Sequence, residues 1–319
     1  MGEMLALAAA LLLAPAAHGT VRTDSVWSQA LATYKHYEVY LPPSYETAPS
    51  RHYPVAYYLH GLYGSETDWV QHGHLNETLD SLIAGGMPEM IVVMPDGDDS
   101  WYTTWNALGN YGACVRDTVR REPAATYCVR WPHYDDYIAR DLVHHVDSTY
   151  RTIADRRHRA IAGLSMGGYG AVELALEYPG VWCAAASHSG LLSPMYDGPH
   201  PFAGRDVYAT RAAELEQLAG PRWPSMELAF GRDLVGWEAR DPLTRLRRLL
   251  AARPALVPAL FIDVGRDDPF ADQNRAFHAE LVAMHVPHHY AEWPGAHTWT
   301  YWRAHAAQSL VWIAAHIAH

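Results

Sequence analysis

Basic residues are in the minority in this chain: 24 Lys and Arg stand against 35 Asp and Glu, a formal net charge of -11. That deficit excludes a nucleic-acid footprint, which needs a clustered basic face. The one tight basic cluster, Arg245, Arg247 and Arg248, reads as a solvated helix face. Long apolar runs are missing beyond the N-terminus, so no membrane span is expected. Linker-like stretches and internal repeats are missing too, and residues 20–319 read as a single domain. The 49% apolar and 18% charged content excludes the disordered class and provides for a substantial core.

The apolar exception is Leu5 to Ala17, too short to cross a bilayer and ending in small residues at Ala14-Pro15-Ala16 and Ala17-His18-Gly19. It reads as a secretory signal peptide over residues 1–19, although Glu3 stands where a positive charge usually precedes the apolar run. The expected location is secreted or periplasmic. Cysteine is scarce, at three residues, and fits an oxidising compartment. Cys114 and Cys128 flank a polar segment and are expected to close a disulfide loop of about 15 residues, which stabilises by on the order of 3 kcal/mol. Three free thiols are the alternative. Cys183, in the apolar run Val181 to Ala186, is expected as a buried thiol.

What is present is an alternation of strand and helix signals. Strands are expected at Tyr37 to Leu41, Pro54 to His60, Met90 to Met94, His158 to Ala162, Trp182 to Ser187 and Ala259 to Val264. Helices are expected at Leu75 to Ala84, Asp136 to Tyr150, Gly170 to Tyr178, Gln273 to Met284 and Tyr301 to Ile317. Strand runs without polar alternation imply burial on both faces, so the order predicts an α/β fold with a mostly parallel central sheet and helices on both sides. Two excursions, at about 100–132 and 191–234, break the alternation. They are expected to wall a pocket over the carboxyl ends of the strands.

Gly163-Leu164-Ser165-Met166-Gly167 is a Gly-x-Ser-x-Gly turn between a buried strand and a helix. Such a turn holds its serine at strained dihedrals and exposes the hydroxyl, beside the free N–H groups of the helix start. A serine needs a base, and the base needs an orienting carboxylate. His297, in Pro294-Gly295-Ala296-His297, is the expected base, and Asp268, in the turn after Ala259 to Val264, the expected acid. Asp267 is the alternative acid, with Asp263 behind it because it precedes the turn. Backbone N–H groups of Leu62, in His60-Gly61-Leu62-Tyr63-Gly64, and of Met166 are expected to form the oxyanion hole.

Pro54-Val55 through His60-Gly61-Leu62, Val92 through Gly97, Tyr150-Arg151-Thr152, Gly163 to Tyr169 and Gly295-Ala296-His297 together resemble the esterase D family of α/β-hydrolases. Feruloyl and acetyl esterases, S-formylglutathione hydrolases and mycolyltransferases belong to it. The resemblance runs from about Tyr37 to the C-terminus. It implies an α/β-hydrolase fold and a serine carboxylesterase with Ser165, Asp268 and His297 as triad and no cofactor or metal. It does not pick the substrate: small-molecule or polysaccharide-linked esters are expected, feruloyl or acetyl esters of plant polysaccharides first, with short-chain acyl esters or a polyester as alternatives. Ser100 to Trp105 resembles mycolyltransferases and keeps acyl transfer open. The cysteine-containing turn of S-formylglutathione hydrolases is replaced by His60 to Gly64, which weakens the thioesterase alternative.

Trp101, Tyr102, Trp105, Tyr111, Trp131 and Trp299 fall on the expected pocket loops and are candidates for substrate contact. Asp96-Gly97-Asp98-Asp99-Ser100 lacks the later ligands of a calcium loop and reads as a solvated turn. His285, His288 and His289 lack the HExxH arrangement and read as surface residues. Asn76-Glu77-Thr78 is a glycosylation sequon.

Overall fold

The computed structural model describes residues 18–105, 111–116, 128–130, 132–204 and 207–318. The expected signal segment up to residue 17, Trp131, and the side chains of Tyr111 and Cys114 lie outside the described residues, and with Cys114 the expected Cys114–Cys128 disulfide.

The strands are β1 (Thr20–Ser28), β2 (Thr33–Leu41), β3 (Val55–Leu59), β4 (Ile91–Pro95), β5 (Arg159–Leu164), β6 (Ala184–His188), β7 (Ala259–Gly265) and β8 (His288–Trp293). They form one sheet in the order β1-β2-β4-β3-β5-β6-β7-β8. From β4 to β8 in that order every pairing is parallel, while β2 pairs antiparallel with both β4 and β1. All five residues of β3 are buried. Val55, Tyr57 and Leu59 face one core and Ala56 and Tyr58 the other, as the period of two requires.

Two helices cover the second of these cores: α1 (Leu75–Ala84) contributes Leu75 and Leu79, and α6 (Trp299–Ile317) contributes Leu310, Ile313 and Ile317. The first core takes α2 (Val143–Thr149), continuous with a π-helical stretch Tyr137–Leu142, then α3 (Met166–Glu177), α4 (Pro242–Ala252) and α5 (Ala271–Ala283). The chain is therefore an α/β-hydrolase fold. Leu191 to Leu234 carries two short helices, Ala212–Ala219 and Trp223–Phe230, over the strand ends.

Four features depart from expectation. β1 and β8 are outer strands with few buried residues, so neither carries the continuous apolar run that marks β3 and β4. Helix α3 begins at Met166 rather than Gly170: Gly167, Gly168 and Gly170 depress helix propensity and hide its first turn in the sequence, while packing holds that turn helical. Cys183 is half-buried rather than buried, and its Sγ donates to the Arg157 carbonyl at 3.3 Å. Nor is the basic cluster simply solvated, since Arg245 pairs with Glu173 and Glu177 across the face of α3.

Asp96 to Ser100 is not a solvated turn. Lys35, the only lysine of the chain, is wholly buried on β2 and reaches this loop. Its Nζ lies 2.5 Å from Asp96 Oδ2 and 2.8 Å from Asp98 Oδ2, and the Tyr134 hydroxyl donates to Asp98 at 2.6 Å. Burial raises the Asp96 carboxyl, but the Lys35 ammonium and His60 outweigh it and hold Asp96 below the ordinary carboxylate range. One cation thus fixes the exit of β4 beside the site described next. Lys35→Met, which leaves two buried carboxylates without their ammonium, is expected to lower unfolding stability by about 3–5 kcal/mol, read from denaturant midpoints. An unchanged midpoint would contradict this role.

Candidate active site

Ser165 joins β5 to α3 with φ 54° and ψ -117°, a strained conformation for a residue with a side chain. Its N–H donates to the His188 carbonyl at the end of β6, 2.9 Å away. The turn closes because two neighbours have no side chain. A Cβ on Gly163 would stand 2.3 Å from the Gly167 carbonyl oxygen, and one on Gly167 would stand 2.4 Å from the carbonyl oxygens of Leu59 and His60. Met166, the first residue of α3, offers an N–H with no intrahelical partner beside the serine hydroxyl.

The carboxyl ends of β7 and β8 supply the other two groups. His297 Nε2 lies 2.8 Å from Ser165 Oγ, and His297 Nδ1 lies 2.9 Å from Asp268 Oδ2. The second Asp268 oxygen accepts the Phe270 N–H at 2.8 Å, and the carboxylate is buried. Backbone bonds lace the two loops together: Arg266 donates to the Trp293 carbonyl at 2.8 Å and Asp267 to the Gly295 carbonyl at 2.9 Å. The His297 ring is held edge-on between Phe270 and Trp302, each 4.9 Å away by ring centroids. A serine hydroxyl, imidazole and carboxylate so arranged can pass a proton from the hydroxyl to the ring while the carboxylate fixes the ring's tautomer. Asp267 contributes its backbone to this arrangement, and Asp268 contributes the carboxylate.

Asp263 has a separate place, which sequence reasoning missed. It is fully buried, 2.6 Å from His188 Nδ1, and accepts the Tyr301 hydroxyl at 2.9 Å. The other His188 nitrogen lies 2.8 Å from Ser309 Oγ, which meets the Tyr58 hydroxyl at 3.1 Å. This polar layer joins β6, β7 and α6 beneath the site. His188 also gives its carbonyl to the Ser165 N–H, and the Tyr301 ring occupies the space beside Gly295 in the His297 loop. Its sequence signal is faint: single polar residues at the ends of apolar strands.

The Gly61-Leu62 turn after β3 faces the serine, and a Cβ on Gly61 would stand 2.7 Å from Leu164 Cδ1 and 3.5 Å from Ser165 Cβ. His60 braces this turn. Its Nδ1 donates to the Gly61 carbonyl at 2.7 Å and its Nε2 accepts the Gly97 N–H at 2.9 Å, which ties the turn to the Lys35-held loop.

A cavity of about 280 Å3 opens above Ser165 and His297. Leu62, Trp101, Phe270, Trp299 and Trp302 supply apolar walls, with Asp68 and Arg222 as charged members. Burial raises the Asp68 carboxyl and lowers the Arg222 guanidinium. Trp101 and Trp299 therefore stand where substrate contact was expected. Tyr102 and Trp105 do not line the cavity. Tyr102 is wholly buried, with its hydroxyl donating to the His60 carbonyl at 3.1 Å, and its ring fills the space beside Gly97 and Gly170. Trp105 stacks on Tyr134 and donates to the Ser100 carbonyl at 3.1 Å. Loop position makes both candidates for substrate contact, and packing turns them away from the cavity. Among the described residues no group of three or more His, Cys, Asp or Glu side chains is placed to hold a metal ion, and no helix is long and apolar enough to cross a membrane.

The model of the Esterase family matches residues 28–313. The chain belongs to that family. A solved structure of a ferulic acid esterase superposes with a TM-score of 0.69 at 26% identity, covering 93% of this chain and 98% of the other. An esterase of Mycobacterium tuberculosis is 28% identical over 270 residues, 81% of this chain and 51% of the relative. The chain thus spans about half the length of that mycobacterial relative. An acetyl esterase of Caldicellulosiruptor saccharolyticus is 22% identical over 266 residues, 83% of this chain and 84% of the relative. For this member of the family, Tyr102→Phe is expected to lower stability by about 0.5–1.5 kcal/mol, the value of one hydrogen bond, and to leave KM for any ester it turns over unchanged. A raised KM without loss of melting temperature would return Tyr102 to the substrate pocket.

Proposed function

We propose that this esterase is a serine carboxylic ester hydrolase working through an acyl-enzyme. The observation that carries the proposal is the linear set Ser165 Oγ, His297 Nε2, His297 Nδ1 and Asp268 Oδ2, with contacts of 2.8 and 2.9 Å. In this reading His297 takes the Ser165 proton as the oxygen attacks the ester carbonyl, and the N–H groups of Leu62 and Met166 receive the oxyanion. The imidazolium returns its proton to the leaving alcohol, and the carbon–oxygen bond to that alcohol breaks. Water then attacks the acyl-enzyme with the same base and releases the acid. Removing one oxyanion donor in such sites typically costs about 2.7–4 kcal/mol of transition-state stabilisation.

The aromatic walls from Trp101, Phe270, Trp299 and Trp302 support an aryl or short acyl ester as substrate, feruloyl and acetyl esters of plant polysaccharides among them. Similarity to a ferulic acid esterase and to an acetyl esterase points the same way. A cavity of about 280 Å3 favours such groups over a long lipid chain and so favours the hydrolase over acyl transfer of the mycolyltransferase type. Secretion belongs to the same reading, resting on Leu5 to Ala17 and on the proposed Cys114–Cys128 disulfide.

Ser165→Ala is expected to abolish both ester hydrolysis and covalent labelling by a fluorophosphonate, measured on protein whose melting temperature is retained. Residual turnover above one part in about a thousand would move the nucleophile elsewhere. Thiol titration of the secreted protein is expected to find one reactive thiol, Cys183, before reduction and three after it. Three thiols without reductant would remove the disulfide from the proposal.

A further inference from the structure

Arg222 is a charged member of the cavity that the proton relay leaves unused and that has no carboxylate partner among the described residues. It stands at the end of the turn Gly220–Arg222, in the excursion that covers the strand ends. Its guanidinium carbon sits 4.9 Å over the Phe270 ring, and the edge-on Phe270 ring in turn meets His297 at 4.9 Å. Nε is buried without a hydrogen-bond partner, and the recorded contact of the guanidinium head is one long bond of 3.4 Å to the Leu218 carbonyl. Among the described residues no carboxylate pairs with it. Other arginines of the fold are treated differently: Arg275 is held by Asp272 and Glu292, and Arg159 by Asp147.

A half-buried cation with unused donors is costly to keep unless something supplies the missing acceptor. Asp68, the other charged residue of the cavity, does not supply it. Its carboxylate lies against Gly64 in the turn after β3, and among the described residues no ion pair joins it to Arg222. Arg222 thus faces the site one aromatic ring beyond His297, the group that hands a proton to the departing alcohol in the proposed mechanism.

We infer that Arg222 binds a free carboxylate on the substrate, separate from the ester that is cleaved, a planar anion matched to the guanidinium fork. The preferred esters are those whose alcohol is a hydroxy acid, aromatic or sugar-derived, because the leaving group departs on the His297 side. A monoester of a dicarboxylic acid would bring the same anion from the acyl side. This inference rests on the esterase reading above and narrows its substrate class.

The test compares kcat/KM for carboxylate and carboxamide partners in two arms. The leaving-group arm uses 4-acetoxybenzoate against 4-acetoxybenzamide. The acyl arm uses mono-4-nitrophenyl glutarate against the corresponding 4-carbamoylbutyrate ester. Dividing the wild-type preference by that of Arg222→Gln cancels the intrinsic reactivity of each ester. A fall of about tenfold or more is expected in the leaving-group arm, carried by KM, with partial recovery in Arg222→Lys. A fall confined to the acyl arm supports carboxylate binding and assigns it to the acid side. Equal preferences in wild type and variant, with Ser165 still labelled by a fluorophosphonate in both, overturn the inference and leave the esterase reading standing. If Arg222→Gln fails to label, Arg222→Lys and competition by free 4-hydroxybenzoate against a neutral ester in the wild type decide instead. Absence of competition there overturns the inference. No turnover of any ester and no labelling of the wild type overturns both readings.

Discussion

The close crossing of β5 and α3 over the end of β3 is the constraint on which the rest of the site depends. Gly163 and Gly167 allow backbone to meet backbone at distances no Cβ would tolerate. That contact sets Ser165 at φ 54° and lays the Gly61-Leu62 turn directly against it. Strain at Ser165 is sustained because the surrounding backbone over-determines it: the His188 carbonyl holds its N–H, and α3 begins at the next residue. The cost of three glycines in the first turns of a helix is carried by packing rather than by propensity.

Around this crossing the protein places two buried polar clusters at the carboxyl ends of the strands. Lys35 with Asp96 and Asp98 braces the exit of β4, and His60 transmits that brace to the turn after β3. His188 with Asp263, Tyr301 and Ser309 braces the exits of β6 and β7 against α6. Buried charges of this kind contribute little net stability compared with apolar residues of the same shape, yet each is expensive to break. Their value here is geometric, since parallel strands end in loops and loops need fixing if side chains from three of them are to meet within hydrogen-bond distance.

Much of this was legible in the chain. The strand and helix order through β3, β4, β5, α3 and β7 follows from apolar runs and their period, and Ser165, an acid in the turn after β7 and His297 in its loop before the last helix stand out because they follow one another in the order such a site requires. β1 and β8 were not legible, because an outer strand with one wet face carries no continuous apolar signal. The burial of Asp96 and Asp98 was hidden for a related reason: an acid-rich turn looks solvated until its counter-ion is found 61 residues earlier on β2. Tyr102 and Trp105 show the same limit for aromatics, as loop position says nothing about which way a ring packs.

By itself the sequence determined the fold class, the strand-turn-helix around Ser165 and the identity of the residues near it, since local periodicity and backbone sterics are written in consecutive residues. The tertiary structure decided which acid faces His297, which aromatics face the cavity, and that Arg222 stands across Phe270 from His297 with no carboxylate partner among the described residues. Those outcomes depend on contacts between segments far apart in the chain, and a contact of that kind leaves no pattern in either segment alone.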